Sequence, residues 1–375
     1  MGFFGALKKA ITGQRLESIQ VRVQKSYLNE DTNLPFLEIQ CKGLFPVYVT
    51  TEVGFMISVL TNDREGDLSP VLSFGDSFQE PETVAFQHLA NIGKIDAGQG
   101  FLEWVSVGSV PLGLLNPSFG GVQDLTIVVR LVDMYDLPAV RLGFGEAGIW
   151  RDLVNYKYNF KHKGYEEEAE DIDKARALSI EIGMAVAMAD GELDDAEGET
   201  LKAWIQKMIT PFGNEKQKKL KKVYNDAMRS SYKLAESGDL VLGNICKQLN
   251  EIGEDAQKYE AVELAHEVMA ADGVVHAEEM KVIHKVADVL GIDADELESM
   301  RDQHIVGLDL SLDKSDLESS LGIDVSWSND KKLKHLRQEY QKWNNRLNTL
   351  SEGNERESAQ QKLDLIAKAR KKYGG

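Results

Sequence analysis

The sequence predicts a multidomain α+β protein: an N-terminal antiparallel β-sandwich, a central all-α bundle and a C-terminal helical hairpin. Three observations predict it. Hydrophobic residues alternate with period two from Ser18 to Arg141, then recur at helical spacing from Ile172 onward. A charge-rich joint at 161–171, KHKGYEEEAED, separates the two regimes. Two segments of the helical part repeat one another, the signature of a duplicated supersecondary unit.

Residues 1–15 predict an amphipathic helix, with Phe3, Phe4, Leu7 and Ile11 on one side and Lys8 and Lys9 on the other. Such a helix either docks on the next domain or rests on a membrane surface. Residues 16–160 are expected to form the sandwich. Ile19, Val21 and Val23 alternate with Gln20, Arg22 and Gln24. Leu37, Ile39 and Cys41 alternate with Glu38 and Gln40, and Val47 and Val49 with Tyr48 and Thr50. Further β-rich runs are Gly54–Leu60, Val71–Phe74, Phe101–Val107 and Leu125–Val132, between turn clusters such as NEDTN, NDREGD and NPSFGG. One helical candidate, Glu82–Ile92, interrupts them. The acidic loop Asp63–Asp67 is either a cation site or a solvated turn.

The bundle, 172–305, has seven expected helices: Ile172–Ala189, Asp195–Met208, Glu215–Ala235, Leu240–Ile252, Gln257–Ala271, Ala277–Leu290 and Ala294–Gln303. Gly253 and Gly291 stand where C-terminal caps fall. Residues 306–329 form a connector rich in Ser, Asp and Gly. Residues 330–375 form the hairpin, Lys331–Leu350 and Glu355–Tyr373 around the turn TLSEGN.

Charge is unevenly placed along the 375 residues, whose net charge is −18. Lys+Arg against Asp+Glu run 10 to 17 over residues 1–150, 21 to 39 over 151–330, and 12 to 5 over 331–375. An acidic body repels nucleic acid and attracts cations or basic partners, so only the tail has the charge for phosphate contacts. Cys41 and Cys246 make neither a disulfide framework nor a zinc cluster. Without a signal-like leader or a long apolar run, a cytoplasmic protein is expected.

The repeat places AVAMADGELDDAEGETLKAWI, from Ala185, over EVMAADGVVHAEEMKVIHKVA, from Glu267. Asp190 pairs with Asp272, Gly191 with Gly273, Asp194 with His276 and Glu197 with Glu279. Glycine after Asp takes the positive φ that stops one helix and starts the next. Asp194 and Glu197 have capping-box spacing, and this accounts for both residues structurally. The second copy fits less well, because His276 is a poor N-cap. Asp190 and Asp272 also lie at the unfavourable ends of helix dipoles. A divalent cation bound by hard oxygen ligands is the alternative account: calcium, magnesium or manganese rather than zinc.

The duplicated ADGELDDAE and ADGVVHAEE, with the closing GIDADELE at 291–298 and, more loosely, the opening MGFFGALKKA, resemble the tellurite-resistance TerB-like family. The resemblance implies an all-helical pseudo-twofold bundle whose clustered acids bind divalent cations. Residue by residue it nominates Asp190, Asp194, Glu197, Asp272 and Glu279, with His276 departing from the family's oxygen residue. The hairpin's LRQEYQKWNNRL and ESAQQKLDLIAKARKKY resemble helices two and three of a J-domain. Asn344, Asn345 and Arg346 stand where His-Pro-Asp belongs, so a degenerate docking element is implied rather than chaperone stimulation. Its basic residues are Lys331, Lys332, Lys334, Arg337, Lys342, Lys368, Arg370, Lys371 and Lys372, available to a partner protein or nucleic acid. Trp343 and Tyr340 are expected in the hairpin core.

The histidines at 88, 162, 266, 276, 284, 304 and 335 form no triad spacing, and no phosphate loop, GxSxG or HExxH is present. The expected function is therefore non-enzymatic, with no small-molecule substrate: a metal-binding or scaffold protein. The resemblance implies a bacterial stress or phage-defence setting and partners encoded in the same operon. A chaperone-linked adaptor, or an accessory subunit bringing a nuclease or ATPase to nucleic acid through the tail, are the alternatives.

Overall fold

A computed structural model describes residues 7–9, 17–27, 34–273, 276–293, 296–297, 300, 321–323, 326–347 and 354–374. It divides into two compact units, Met1–Ala169 and Glu170–Gly375.

The first unit contains thirteen strands among the described residues: β1 Leu7–Lys9, β2 Gln20–Tyr27, β3 Pro35–Leu44, β4 Thr51–Asn62, β5 Leu68–Pro70, β6 Leu72–Ser73, β7 Gln87–Ile95, β8 Gln99–Pro111, β9 Leu115–Asn116, β10 Gly121–Asp133, β11 Val140–Arg141, β12 Phe144–Gly145 and β13 Trp150–Phe160. One antiparallel sheet runs β1-β8-β3-β2. The other runs β13-β10-β4-β5, with β7 also paired to β4. Their inner faces share one core. Leu37, Ile39 and Cys41 of β3 and Val107 and Val110 of β8 meet Phe55, Ile57 and Val59 of β4 and Ile127, Val129 and Leu131 of β10. Period-two alternation on β3 puts every second residue into that core, as a half-buried strand requires.

Four local readings are corrected. Leu7–Lys9 is a strand paired with Phe101, Gly100 and Gln99, not part of an amphipathic helix. A helix of about three turns is marginal alone, and the open edge of β8 supplies backbone partners that outweigh it. The rest of that helix lies outside the described residues. Gln87–Ile95 is strand β7, eight residues of which are in register with β4, so no helix occupies Glu82–Ile92. Val47 to Thr50 is a loop, with Val47 turned inward and Tyr48 and Val49 exposed. Strand β13 falls beyond the alternation recognised in the sequence, yet its eleven residues all pair with β10.

The loop joining β10 to β13 is held by buried charge. Arg130 is 1% exposed. It donates to the Glu146 carbonyl (2.9 Å), the Ser58 hydroxyl (3.2 Å) and the Gly143 carbonyl (2.9 Å). Glu80, also buried, accepts the amides of Leu142 and Gly143, both at 2.7 Å. Those bonds hold Leu142 at φ 54°, a left-handed conformation that a branched side chain seldom adopts.

The second unit contains α2 Asp195–Ile209, α3 Asn214–Glu236, α4 Leu242–Ile252, α5 Asp255–Met269, α6 Ala277–Leu290, α7 Asn329–Leu347 and α8 Asn354–Gly374, and most of α1 Tyr165–Ala187. Helix α1 starts inside the expected joint, because Glu167 folds back to accept the Gly164 amide at 2.9 Å. The core of α1–α6 gathers Leu178, Ile182, Trp204, Ile205, Leu220, Tyr224, Leu249, Leu264, Val268 and Ile283. Gly291 closes α6 in the left-handed conformation, whereas Gly253 ends α4 extended. The expected helix Ala294–Gln303 lies largely outside the described residues. Helices α7 and α8 pack a smaller core of Leu336, Trp343, Leu363, Ile366 and Ala369. None of the described helices is long and apolar enough to cross a membrane.

Replacing Arg130 by Met should strand the Gly143 and Glu146 carbonyls under the loop and remove the positive charge that Glu80 feels, at a cost of about 2–4 kcal/mol. A lower urea midpoint for the sandwich and faster amide exchange at Leu142 and Gly143 are the expected readouts. Unchanged exchange there would show that the loop holds itself.

Candidate functional site

The described residues of the two copies share their glycine turn and the glutamate bond of their caps. Helices α1 and α5 stop at Ala187 and Met269, and α2 and α6 start at Asp195 and Ala277. Gly191 and Gly273 turn the chain at φ 99° and 84°. Their amides donate to Met188 (3.2 Å) and Ala270 (3.3 Å) carbonyls, equivalent positions of the two copies. A residue with Cβ is strained at such φ, which is why glycine follows the aspartate in both.

Each second helix begins with a glutamate at its third position whose carboxylate returns to the N-cap amide. Glu197 accepts from Asp194 N–H at 2.9 Å, and Glu279 from His276 N–H at 3.1 Å. In the first copy Asp194 completes the capping box by accepting the Ala196 amide at 2.7 Å. His276 thus keeps the glutamate half of the box although its imidazole is a poor N-cap. The Asp190 carboxylate accepts the Glu192 amide at 3.0 Å, a local turn bond that relieves its position beyond the end of α1. Asp272 has His276 Nε2 at 4.0 Å.

The two glutamates do more than cap. Glu197 is 6% and Glu279 2% exposed, and their side chains hydrogen-bond to one another. Burial is the main cause pushing both carboxyls upward, and each also feels the negative charge of Asp272. Two buried carboxylates in contact cannot both ionise cheaply, so the pair retains a shared proton above the usual carboxylate range.

Of the five acids nominated from the sequence, Glu197 and Glu279 are brought together, with Asp190 and Asp272 in electrostatic range of Glu197. Asp194 is exposed and committed to its cap. No group of three or more His, Cys, Asp or Glu side chains with metal-holding geometry occurs among the described residues. The donors fit a hard cation chemically, but the direct contact supplies two carboxyl groups rather than a cage. The Asp63–Asp67 loop is a hairpin turn: the Asp63 carboxylate accepts the amides of Glu65 and Asp67, both at 2.9 Å.

Several of the basic tail residues lie over the hairpin's own aromatic rings. Lys332 is buried with its ammonium 5.0 Å from the Tyr373 ring centroid, and Lys331 sits 4.3 Å over Trp327. Arg370 lies over Tyr340 and Lys372 over Tyr373. Lys342 stands 4.0 Å from Glu339. Lys334, Arg337, Lys368 and Lys371 are exposed. Trp343 is in the hairpin core, whereas Tyr340 stays at the surface. Alternating aromatic and cationic residues along a helical hairpin permit these internal ring contacts, which net charge does not reveal.

A duplicated, acid-rich helix-turn-helix bundle joined through paired buried glutamates is the class these features define. Residues 180–302, roughly a third of the chain, match the model of the family described as Tellurite resistance protein TerB. This segment is a TerB-like domain, as its repeated motif implied. No curated protein and no solved structure matches the chain.

The sign of the pH dependence follows from the raised carboxyls. The folded state binds the shared proton more tightly than the unfolded chain, whose carboxyls titrate near 4.5. Stability therefore falls as pH rises from that value until the folded pair ionises. Glu279→Gln mimics the protonated form, so it should flatten this slope and exceed the native protein in stability at pH 8 by about 1 kcal/mol or more. Thermal midpoints from pH 5 to 8 test this; parallel curves for the two proteins would refute the shared proton.

Proposed function

We propose that the chain is a non-enzymatic scaffold whose TerB-like domain binds a divalent cation at the junction of its two repeats. The observation that carries this reading is the burial of Glu197 and Glu279 in mutual contact, with Asp190 and Asp272 adding negative potential. Interior carboxyls at helix starts cost stability when ionised, and two positive charges in place of one proton offset that cost. Hard oxygen donors select calcium, manganese or magnesium over softer ions. Asp190 and Asp272 complete the donor set on this reading, and Asp194 serves as the cap that orients Glu197. The likeness to the TerB family supports a setting in tellurite resistance or a related bacterial stress or phage-defence response. The exposed part of the tail, Lys334, Arg337, Lys368 and Lys371, serves as a secondary docking element for partner proteins.

Calorimetry on the full chain with calcium, manganese and magnesium should give saturable binding that weakens on acidification. Protons should be released, seen as heats that change with buffer ionisation enthalpy. A Glu197→Gln/Glu279→Gln variant should lose this binding, while Asp194→Ser, which keeps an N-cap, should retain it. Full binding by the double variant would remove the ion from the junction.

A further inference from the structure

A second feature of the bundle is independent of the carboxylate junction. Helices α1, α2 and α3 wall a cleft of about 480 Å³, within the range of ligand sites. Its floor is apolar, with Met184, Ile205, Met228 and Tyr232 prominent. Its rim carries Lys202 from α2 and Lys221, Arg229 and Lys233 from α3, and no Asp or Glu lines it.

That rim runs against the charge of its surroundings. Helix α3 reads NEKQKKLKKVYNDAMRSSYKLAE, with seven Lys or Arg against three Asp or Glu, inside the acidic segment 151–330. Lys202 is paired with Glu199 at 2.7 Å. Lys221, Arg229 and Lys233 are exposed, and among the described residues none of the three is in an ion pair.

Spacing decides the occupant. Lys221 and Lys233 are three turns and more apart on one helix, about 18 Å along its axis. A single anionic head group reaches only one end of such a row. Carboxylates repeated every turn along a partner helix reach all of it, while the apolar stripe of that helix covers the floor. Methionines on the floor adapt to different apolar side chains, as they do at other helix-binding surfaces.

We propose that this cleft is a docking groove for an acidic amphipathic helix of a partner protein. The partner's apolar stripe lies on Met228 and Tyr232, backed by the buried Met184 and Ile205, and its carboxylates face Lys221, Arg229 and Lys233. Opposite charge along the groove sets the direction and register of docking.

The test uses the full chain and a fluorescein-labelled peptide of about four turns, with Leu at i, i+3, i+4 and i+7 and Glu on the flanking positions. The same peptide with Lys in place of Glu is its control. The acidic peptide should bind, more weakly as salt rises, and the basic one should not. Arg229→Glu/Lys233→Glu, at two exposed positions, should lower affinity at least about tenfold with an unchanged thermal midpoint. Met228→Glu should lower it as well. Equal binding of both peptides, or undiminished binding to Arg229→Glu/Lys233→Glu, would overturn the proposal. So would laurate binding that depends on Arg229 when the acidic peptide fails to bind, since the cleft would then take a small amphiphile. Calcium titration of Arg229→Glu/Lys233→Glu keeps this result separate from the junction, because both residues are on α3, outside the two turns that carry the junction's acids.

Discussion

Glu197 and Glu279 each do two things at once, and the geometry of the helical domain follows from that overlap. Each carboxylate satisfies an otherwise orphaned amide at the start of its helix. Each is also buried against the other, so the caps of α2 and α6 are one of the places where the two repeats touch. A cap glutamate on a solvent-facing helix ionises freely. Here burial and a like neighbour oppose ionisation, so the pair holds a proton more tightly than a solvated carboxyl does. The repeats are therefore joined through a titratable contact rather than through apolar packing alone.

This makes the acidic character of the domain a matter of position rather than amount. Most of its Asp and Glu side chains are solvated or paired locally, such as Glu199 with Lys202 and Glu278 with Lys281. Surface pairs of this kind contribute little to stability. Glycines at 191 and 273 take positive φ at equivalent positions of the two copies, and Glu197 feels the charges of both Asp190 and Asp272. The same averaging conceals α3, a cationic helix embedded in an acidic segment. It also conceals the tail, where several cations lie over the hairpin's own aromatic rings.

Much of the fold was legible because its elements obey local rules. The boundaries of α1–α6 lie within about two residues of those expected, apart from the start of α1, since caps and glycines mark them. Strands β3, β4, β8 and β10 declared themselves through alternating or continuous apolar runs. Two of the failures share one cause. Leu7–Lys9 and Gln87–Ile95 are strands because neighbouring strands offer backbone partners, and that pairing overrides a short helical pattern. Strand β13 alternates Val154, Tyr156, Tyr158 and Phe160 with Asn155, Lys157 and Asn159, but this short period-two run lies past the stretch in which strands were recognised. Arg130 gave no sign at all, since a buried arginine in a β run is defined by carbonyls distant in sequence.

The amino-acid sequence by itself determined the duplication, the glycine turns, the capping residues and the acidic character of both turns. Those features depend on interactions within about four residues, and such interactions can be read from spacing. Only the tertiary structure decided that Glu197 and Glu279 meet while Asp194 stays at its cap, and that the cations of α3 border an apolar cleft. These outcomes depend on which helix faces pack together across long stretches of chain. Burial, which changes the charge state of a carboxyl and the worth of a cation, comes into being only with that packing.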